Sequence, residues 1–274
     1  MTTTLTRVGI AVDREGPRGQ TPLVLVHAGV ADRRMWNPLW PALTRDHDTA
    51  KLDLRGYGDS TQRPSGALRP VGDVVDTLAE LGIERCHLVG ASYGAGVAVE
   101  AALSRPTLVA SLLLVAPGGS LIAELTPDLA AFFEAEKAAL SHGDLDGAVE
   151  ANLSWWVDGP RRGPDEVDPQ VRALVADMQR RAFELTAGWD DVDEEELEPP
   201  VLERLGEVQV PTLVLVGELD LDAIQDSARR LVVGVPGARR VDWPDAAHLP
   251  SLEHSERFLA LVRDWSKAVE APST

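Results

Sequence analysis

Short apolar runs recur along this chain, and stretches with helical periodicity lie between them. Residues 22–26, 85–89, 112–115 and 210–216 are short and apolar enough for strands covered on both faces. Residues 49–54 and 239–241 predict two more strands. Residues 6–12 alternate polar and apolar positions and predict an edge strand, followed by a turn at Gly16-Pro17-Arg18-Gly19. A helix is predicted over 35–43. Val71, Val74, Val75, Leu78 and Leu81 share the face of a second helix, which Gly82 stops. The Ala- and Val-rich residues 95–103 read as a buried helix, and another helix is predicted over 224–233. Phe258, Leu261, Val262 and Trp265 form the stripe of the last one. Strands alternating with helices predict an α/β fold with a doubly wound, mostly parallel sheet.

The alternation stops near residue 120. From there to residue 206 no apolar strand is visible, and amphipathic helices are predicted over 129–140, 145–156 and 171–185, punctuated by Gly159-Pro160 and Gly163-Pro164. The expected organisation is a core made of residues 1–119 and 207–274, interrupted by a helical insertion over 120–206. Residues 190–198 are strongly acidic and read as a solvated face or linker without chemistry.

With 274 residues and 44% hydrophobic content, the chain can bury a sizeable core. No run approaches the length of a membrane span. In the stretch Met1-Thr2-Thr3-Thr4 no secretion signal is visible, so none is expected. The single cysteine, Cys86, sits inside a predicted strand; it rules out an internal disulfide and a cysteine-based zinc site, and it fits a cytoplasmic protein. A net charge of −18 repels nucleic acid and anionic membranes, so neither is an expected partner. An apolar surface on the insertion could pair with a second copy as a homodimer or simply cover a site.

The chemistry concentrates at Gly90-Ala91-Ser92-Tyr93-Gly94, between the strand at 85–89 and the helix at 95–103. A serine in so sharp a strand-to-helix turn takes a strained backbone, and its two glycines avoid collision with the neighbouring strand and helix. The turn lifts the Ser92 hydroxyl to the end of the sheet, beside the first free N–H groups of the helix. A serine nucleophile needs a base, and a histidine suits that task near neutral pH. His248, in Trp243-Pro244-Asp245-Ala246-Ala247-His248, follows the last strand at the same end of the sheet.

On these residues the chain resembles the α/β-hydrolase family, serine branch, of the esterase and lactonase kind. The resemblance implies the nucleophile elbow at Ser92 and the base at His248. It implies the acid at Asp220, in Val216-Gly217-Glu218-Leu219-Asp220, with Glu218 and Asp222 as close competitors, in the order Ser, Asp, His. The oxyanion hole would use the N–H groups of Tyr93 and, by register in His27-Ala28-Gly29-Val30, of Gly29, with Val30 as the alternative. Where the family usually has His-Gly, this chain has His-Ala. His27 and the stretch Asp53-x-Arg55-Gly56-x-Gly58-x-Ser60 are implied to be structural.

In this family an insertion such as 120–206 forms a lid over the site. Trp155 and Trp156 stand side by side in it, and at least one of them is expected to line the substrate pocket above Ser92, with Val30 nearby. Adjacent helical residues point about 100° apart, so both cannot face squarely inward. The implied activity is cofactor-free and metal-free: cleavage of an ester or lactone of a small to medium apolar molecule through an acyl-enzyme on Ser92. A lyase, a carbon–carbon hydrolase, a haloperoxidase-like enzyme and a small-molecule receptor could all use the same constellation. An aspartate at the elbow would have marked a dehalogenase or epoxide hydrolase; serine stands there instead.

Overall fold

The computed structural model describes residues 3–270, so Met1, Thr2 and residues 271–274 lie outside it. Among the described residues, eight strands make one sheet: β1 (Thr3–Leu5), β2 (Ala11–Glu15), β3 (Leu23–Val26), β4 (Thr49–Leu52), β5 (Cys86–Ala91), β6 (Val109–Val115), β7 (Thr212–Gly217) and β8 (Arg239–Trp243). Their order is β1-β2-β4-β3-β5-β6-β7-β8. Only β2 pairs antiparallel, with β1 on one side and β4 on the other. The other pairs are parallel, which requires a crossover between each strand and the next. Those crossovers, with the chain's C-terminal helices, are α1 (Trp40–Asp46), α2 (Pro70–Glu80), α3 (Tyr93–Ser104), α4 (Pro127–Ser141), α5 (Leu145–Asn152), α6 (Pro169–Thr186), α7 (Asp222–Gly234), α8 (Pro250–Glu253) and α9 (Ser255–Glu270). Strands β3, β5 and β7 are buried at every position, as their predominantly apolar sequences require.

Two expected elements differ. Residues 6–12 are not one strand. The Thr6 hydroxyl accepts the Ile10 N–H, Gly9 turns the chain with a left-handed φ of 82°, and pairing with β4 begins at β2. The helix expected over 35–43 is split into a 3-10 turn (Arg33–Trp36) and α1. Pro38 falls between them and has no N–H to carry a helical ladder across.

The loops at the carboxyl ends of β3 and β4 are fixed by buried polar groups. Asp53 accepts the N–H groups of Arg33 and Asp59, each at 2.8 Å, and pairs with the Arg33 guanidinium. Arg55 pairs with Asp73 at 2.7 Å. His27 is fully buried; its Nδ1–H donates to the Ala28 carbonyl while Nε2 accepts the Leu54 N–H, and burial holds its pKa below the ordinary value.

Between β6 and β7 the chain adds no strand to the sheet. It supplies α4, α5, a π-helical stretch (Leu153–Asp158) and α6. Residues 120–206 hold 21 acidic and seven basic residues, so most of the net negative charge is concentrated there. The acidic stretch 190–198 is tied down rather than free. Glu194 bridges to Leu68 and accepts the Tyr93 phenol at 2.7 Å, Glu195 pairs with Arg69 at 2.8 Å, and Asp191 pairs with Arg63. Among the described residues, no helix is long and apolar enough to cross a membrane.

Candidate active site

The turn between β5 and α3 is as tight as its sequence demands. Ser92 has φ 51° and ψ −116°, a left-handed backbone that side chains rarely adopt. A Cβ on Gly90 would lie 2.3 Å from the Gly94 carbonyl oxygen, and one on Gly94 would lie 2.5 Å from the His27 carbonyl oxygen. No other residue type fits at either place without moving backbone.

Three side chains from three loops meet at the carboxyl ends of the strands. His248, on the loop between β8 and α8, has Nε2 2.7 Å from the Ser92 Oγ. Its Nδ1 lies 2.8 Å from Asp220 Oδ2, on the loop after β7. The second Asp220 oxygen accepts the Leu221 N–H at 2.8 Å, which fixes the plane of the carboxylate. Asp220 is fully buried and His248 nearly so. With Nδ1–H donating to the carboxylate, Nε2 is left to accept the Ser92 hydroxyl proton. Of the competing carboxylates, Glu218 is exposed and Asp222 pairs with Arg161 at 3.1 Å; neither touches His248.

A cavity of about 470 Å³ opens above Ser92. Gly29, Tyr93 and Tyr57 line its floor, while Ile122, Leu125, Leu129, Phe133 and Trp156 wall it from the insertion. Tyr93 begins α3, so its N–H has no acceptor within its own helix. A Cβ on Gly29 would sit 3.5 Å from Tyr93 Cβ, so the two backbones lie close together beside Ser92. The Trp156 ring lies 4.5 Å from the His248 ring and 5.1 Å from that of Phe132. Leu125 and Phe133 are 65% and 49% exposed and form an apolar lip at the mouth.

Two expected pocket residues are elsewhere. Val30 is buried in the hydrophobic core and does not line the cavity, because the backbone at Gly29 forms the wall and the next side chain turns inward. Trp155 packs half-buried against the core, on a different face of the helical turn from Trp156. Tyr57, Ile122 and Ile224 line the cavity without having been singled out. Their signal was position: each follows the carboxyl end of a parallel strand, where ligands of such sheets bind. Burial, then the Glu194 and Glu136 carboxylates, pushes the Tyr57 phenol up to about 12, so it keeps its proton. Among the described residues, no group of three His, Cys, Asp or Glu is placed to hold a metal ion.

A family model described as the alpha/beta hydrolase family matches residues 23–261. The chain is similar to a pimeloyl-[acyl-carrier protein] methyl ester esterase of Aeromonas hydrophila subsp. hydrophila, with 28% identity covering 90% of this chain and 96% of that one. It is similar to 3-oxoadipate enol-lactonase 1 of Acinetobacter baylyi, with 22% identity over 95% and 94%. The fold is also that of a bromoperoxidase from Bacillus anthracis, with a TM-score of 0.78, 18% identity and coverage of 97% and 100%.

Proposed function

The chain belongs to the alpha/beta hydrolase family, and from that premise we propose that it is a serine hydrolase cleaving an ester or lactone of a small to medium apolar molecule. The observation that carries this reading is the hydrogen-bonded series Ser92–His248–Asp220, opening into an apolar cavity of about 470 Å³. That volume lies within the range of small-molecule sites. Relatives named as an ester hydrolase and a lactonase support the same class.

In this reading Ser92 Oγ attacks the substrate carbonyl while His248 Nε2 takes its proton. Asp220 orients the imidazole and stabilises its charged form. The carbonyl oxygen, now an oxyanion, is received by the N–H groups of Tyr93 and Gly29. His248 then protonates the leaving alcohol, which departs and leaves an acyl group on Ser92. Water, deprotonated by His248, attacks that acyl group; the acid is released and the Ser92 hydroxyl restored. Each step uses groups of the chain and water alone. Residues 120–206 act as a lid that supplies the apolar wall, with the Trp156 ring 4.5 Å from that of His248. The core is then 1–119 with 207–274.

The test is turnover of p-nitrophenyl butyrate and a panel of γ-lactones by the wild type and Ser92→Ala, with mass spectrometry after treatment with a fluorophosphonate. One adduct on Ser92, and loss of turnover by about 10⁶-fold in Ser92→Ala, is the expected result. Undiminished turnover in Ser92→Ala would overturn the reading.

A further inference from the structure

The proposed lid does more than roof the cavity: it grips the loops that carry the acid and the base. The π-helical stretch ends at Gly159, whose φ of 81° only glycine takes readily. There the chain passes so close to both loops that a Cβ would meet the Leu219 carbonyl oxygen at 2.8 Å and Ala247 Cβ at 3.0 Å. Two arginines follow at once. Arg161 donates to the Glu218 carbonyl and to Asp222 at 3.1 Å, on either side of Asp220. Arg162 pairs with Glu253 at 2.7 Å, and its guanidinium also donates to the carbonyls of Asp158 (2.8 Å) and Val157 (3.0 Å).

Glu253 is the link to the base. Its carboxylate accepts the N–H of Ala247 at 3.0 Å, and Ala247 immediately precedes His248. The Arg162 and Glu253 side chains are only 12% and 6% exposed, unlike the surface pair Arg161–Asp222. Exposed pairs hold geometry weakly, whereas removing one member of a buried pair leaves a charge that must move or find water. Without Arg162, the Glu253 carboxylate has reason to leave Ala247 and take the loop with it.

We propose that Arg162, through Glu253, is a positioning residue for His248, so that the insertion sets the alignment of the base as well as the shape of the cavity. This rests on the serine-hydrolase reading above. Neither residue lines the cavity, so the effect should fall on the chemical step and not on substrate binding. A base that is out of place by a fraction of an ångström transfers its proton poorly.

The experiment compares wild type, Arg162→Gln, Arg162→Lys, Glu253→Gln and Ser92→Ala. It measures kcat and KM on p-nitrophenyl butyrate and the rate of Ser92 labelling by a fluorophosphonate, with circular dichroism to check folding. Arg162→Gln should lower kcat and the labelling rate about tenfold, with KM changed less than twofold. Arg162→Lys, which keeps the charge, should recover most of both rates. If Arg162→Gln does not fold, Glu253→Gln carries the test, since it keeps an oxygen for Ala247 but loses the ion pair; a several-fold loss of kcat at constant KM is expected. Folded Arg162→Gln or Glu253→Gln with normal kcat and a lowered melting temperature alone would make the pair merely structural and overturn the proposal. A raised KM at normal kcat would overturn it equally. Loss of labelling and turnover in Ser92→Ala keeps these outcomes separate from the reading they rest on, whose own failure is marked by undiminished activity in that variant.

Discussion

The two halves of the cavity are built by different rules. The floor comes from loops at the ends of β3, β4, β5, β7 and β8, and its side chains are held to within hydrogen-bond distance by tightly constrained backbone: a left-handed Ser92, glycines at 90 and 94 pressed against carbonyls, a fully buried Asp220. The roof comes from helical faces and the loop that leads into α4, with Leu125 65% and Phe133 49% exposed at its lip and 21 of the chain's acidic residues in the same segment. The floor is specified by covalent and steric geometry, the roof by packing, which tolerates substitution of like for like. On the serine-hydrolase proposal, chemistry resides in the floor and selectivity in the roof.

Substitutions should separate the halves by size and kind of effect. The largest is expected in the floor. Asp220→Asn keeps the shape but leaves His248 in the wrong tautomer, and kcat should fall about 10⁴-fold with little change in KM, read by steady-state kinetics. A loss below tenfold would mean that another carboxylate serves His248. In the roof, Trp156→Phe should leave kcat for the best substrate within a few-fold but shift the ratio of kcat/KM between butyrate and octanoate esters by about tenfold, because it changes the space above Ser92. A change in kcat with no change in that ratio would move Trp156 to the floor side of the comparison, through its contact with His248.

A smaller effect is expected at the lip. Leu125→Ser should lower kcat/KM for octanoate esters about threefold and leave acetate esters and the melting temperature unchanged, since its side chain is mostly exposed. The smallest lies behind the floor. Glu100, on α3, is buried, and burial, with help from Glu194 and Glu196 and against the Ser120 hydrogen bond, raises its pKa above 4.5. The folded chain thus holds that proton more tightly than the unfolded one, and stability falls as pH rises from the ordinary carboxyl value through the raised one. Glu100→Gln removes that fall. Its melting temperature relative to wild type should be near zero difference at pH 4 and grow more favourable on passing to pH 8.

The same division governs what could be read from the sequence. The sheet was legible because the buried runs 23–26, 112–115 and 213–216 are apolar throughout, and Gly90-x-Ser92-x-Gly94 because only glycine survives those contacts. The first hairpin was not: the pattern over 6–12 alternates correctly, and only the backbone at Gly9 reveals a turn in its middle. The insertion was legible as helices but not as a surface. Periodicity identifies Trp155 and Trp156 as neighbours; which of them faces His248 depends on a π-helical stretch that no periodicity encodes. Likewise, residues 190–198 read as solvated charge, and nothing in their composition points to the Tyr93 phenol or to Leu68.

The left-handed backbone at Ser92 sets two demands on the molecule at odds. A residue held there costs of order 1–3 kcal/mol, against a typical stability of about 5–15 for a whole domain. Glycine would relieve that cost. Selection for heat resistance alone, blind to turnover, would therefore drift toward losing the hydroxyl, and a library screened only for folding should return glycine at position 92 as a gain. The serine persists only under a demand that folding itself does not make.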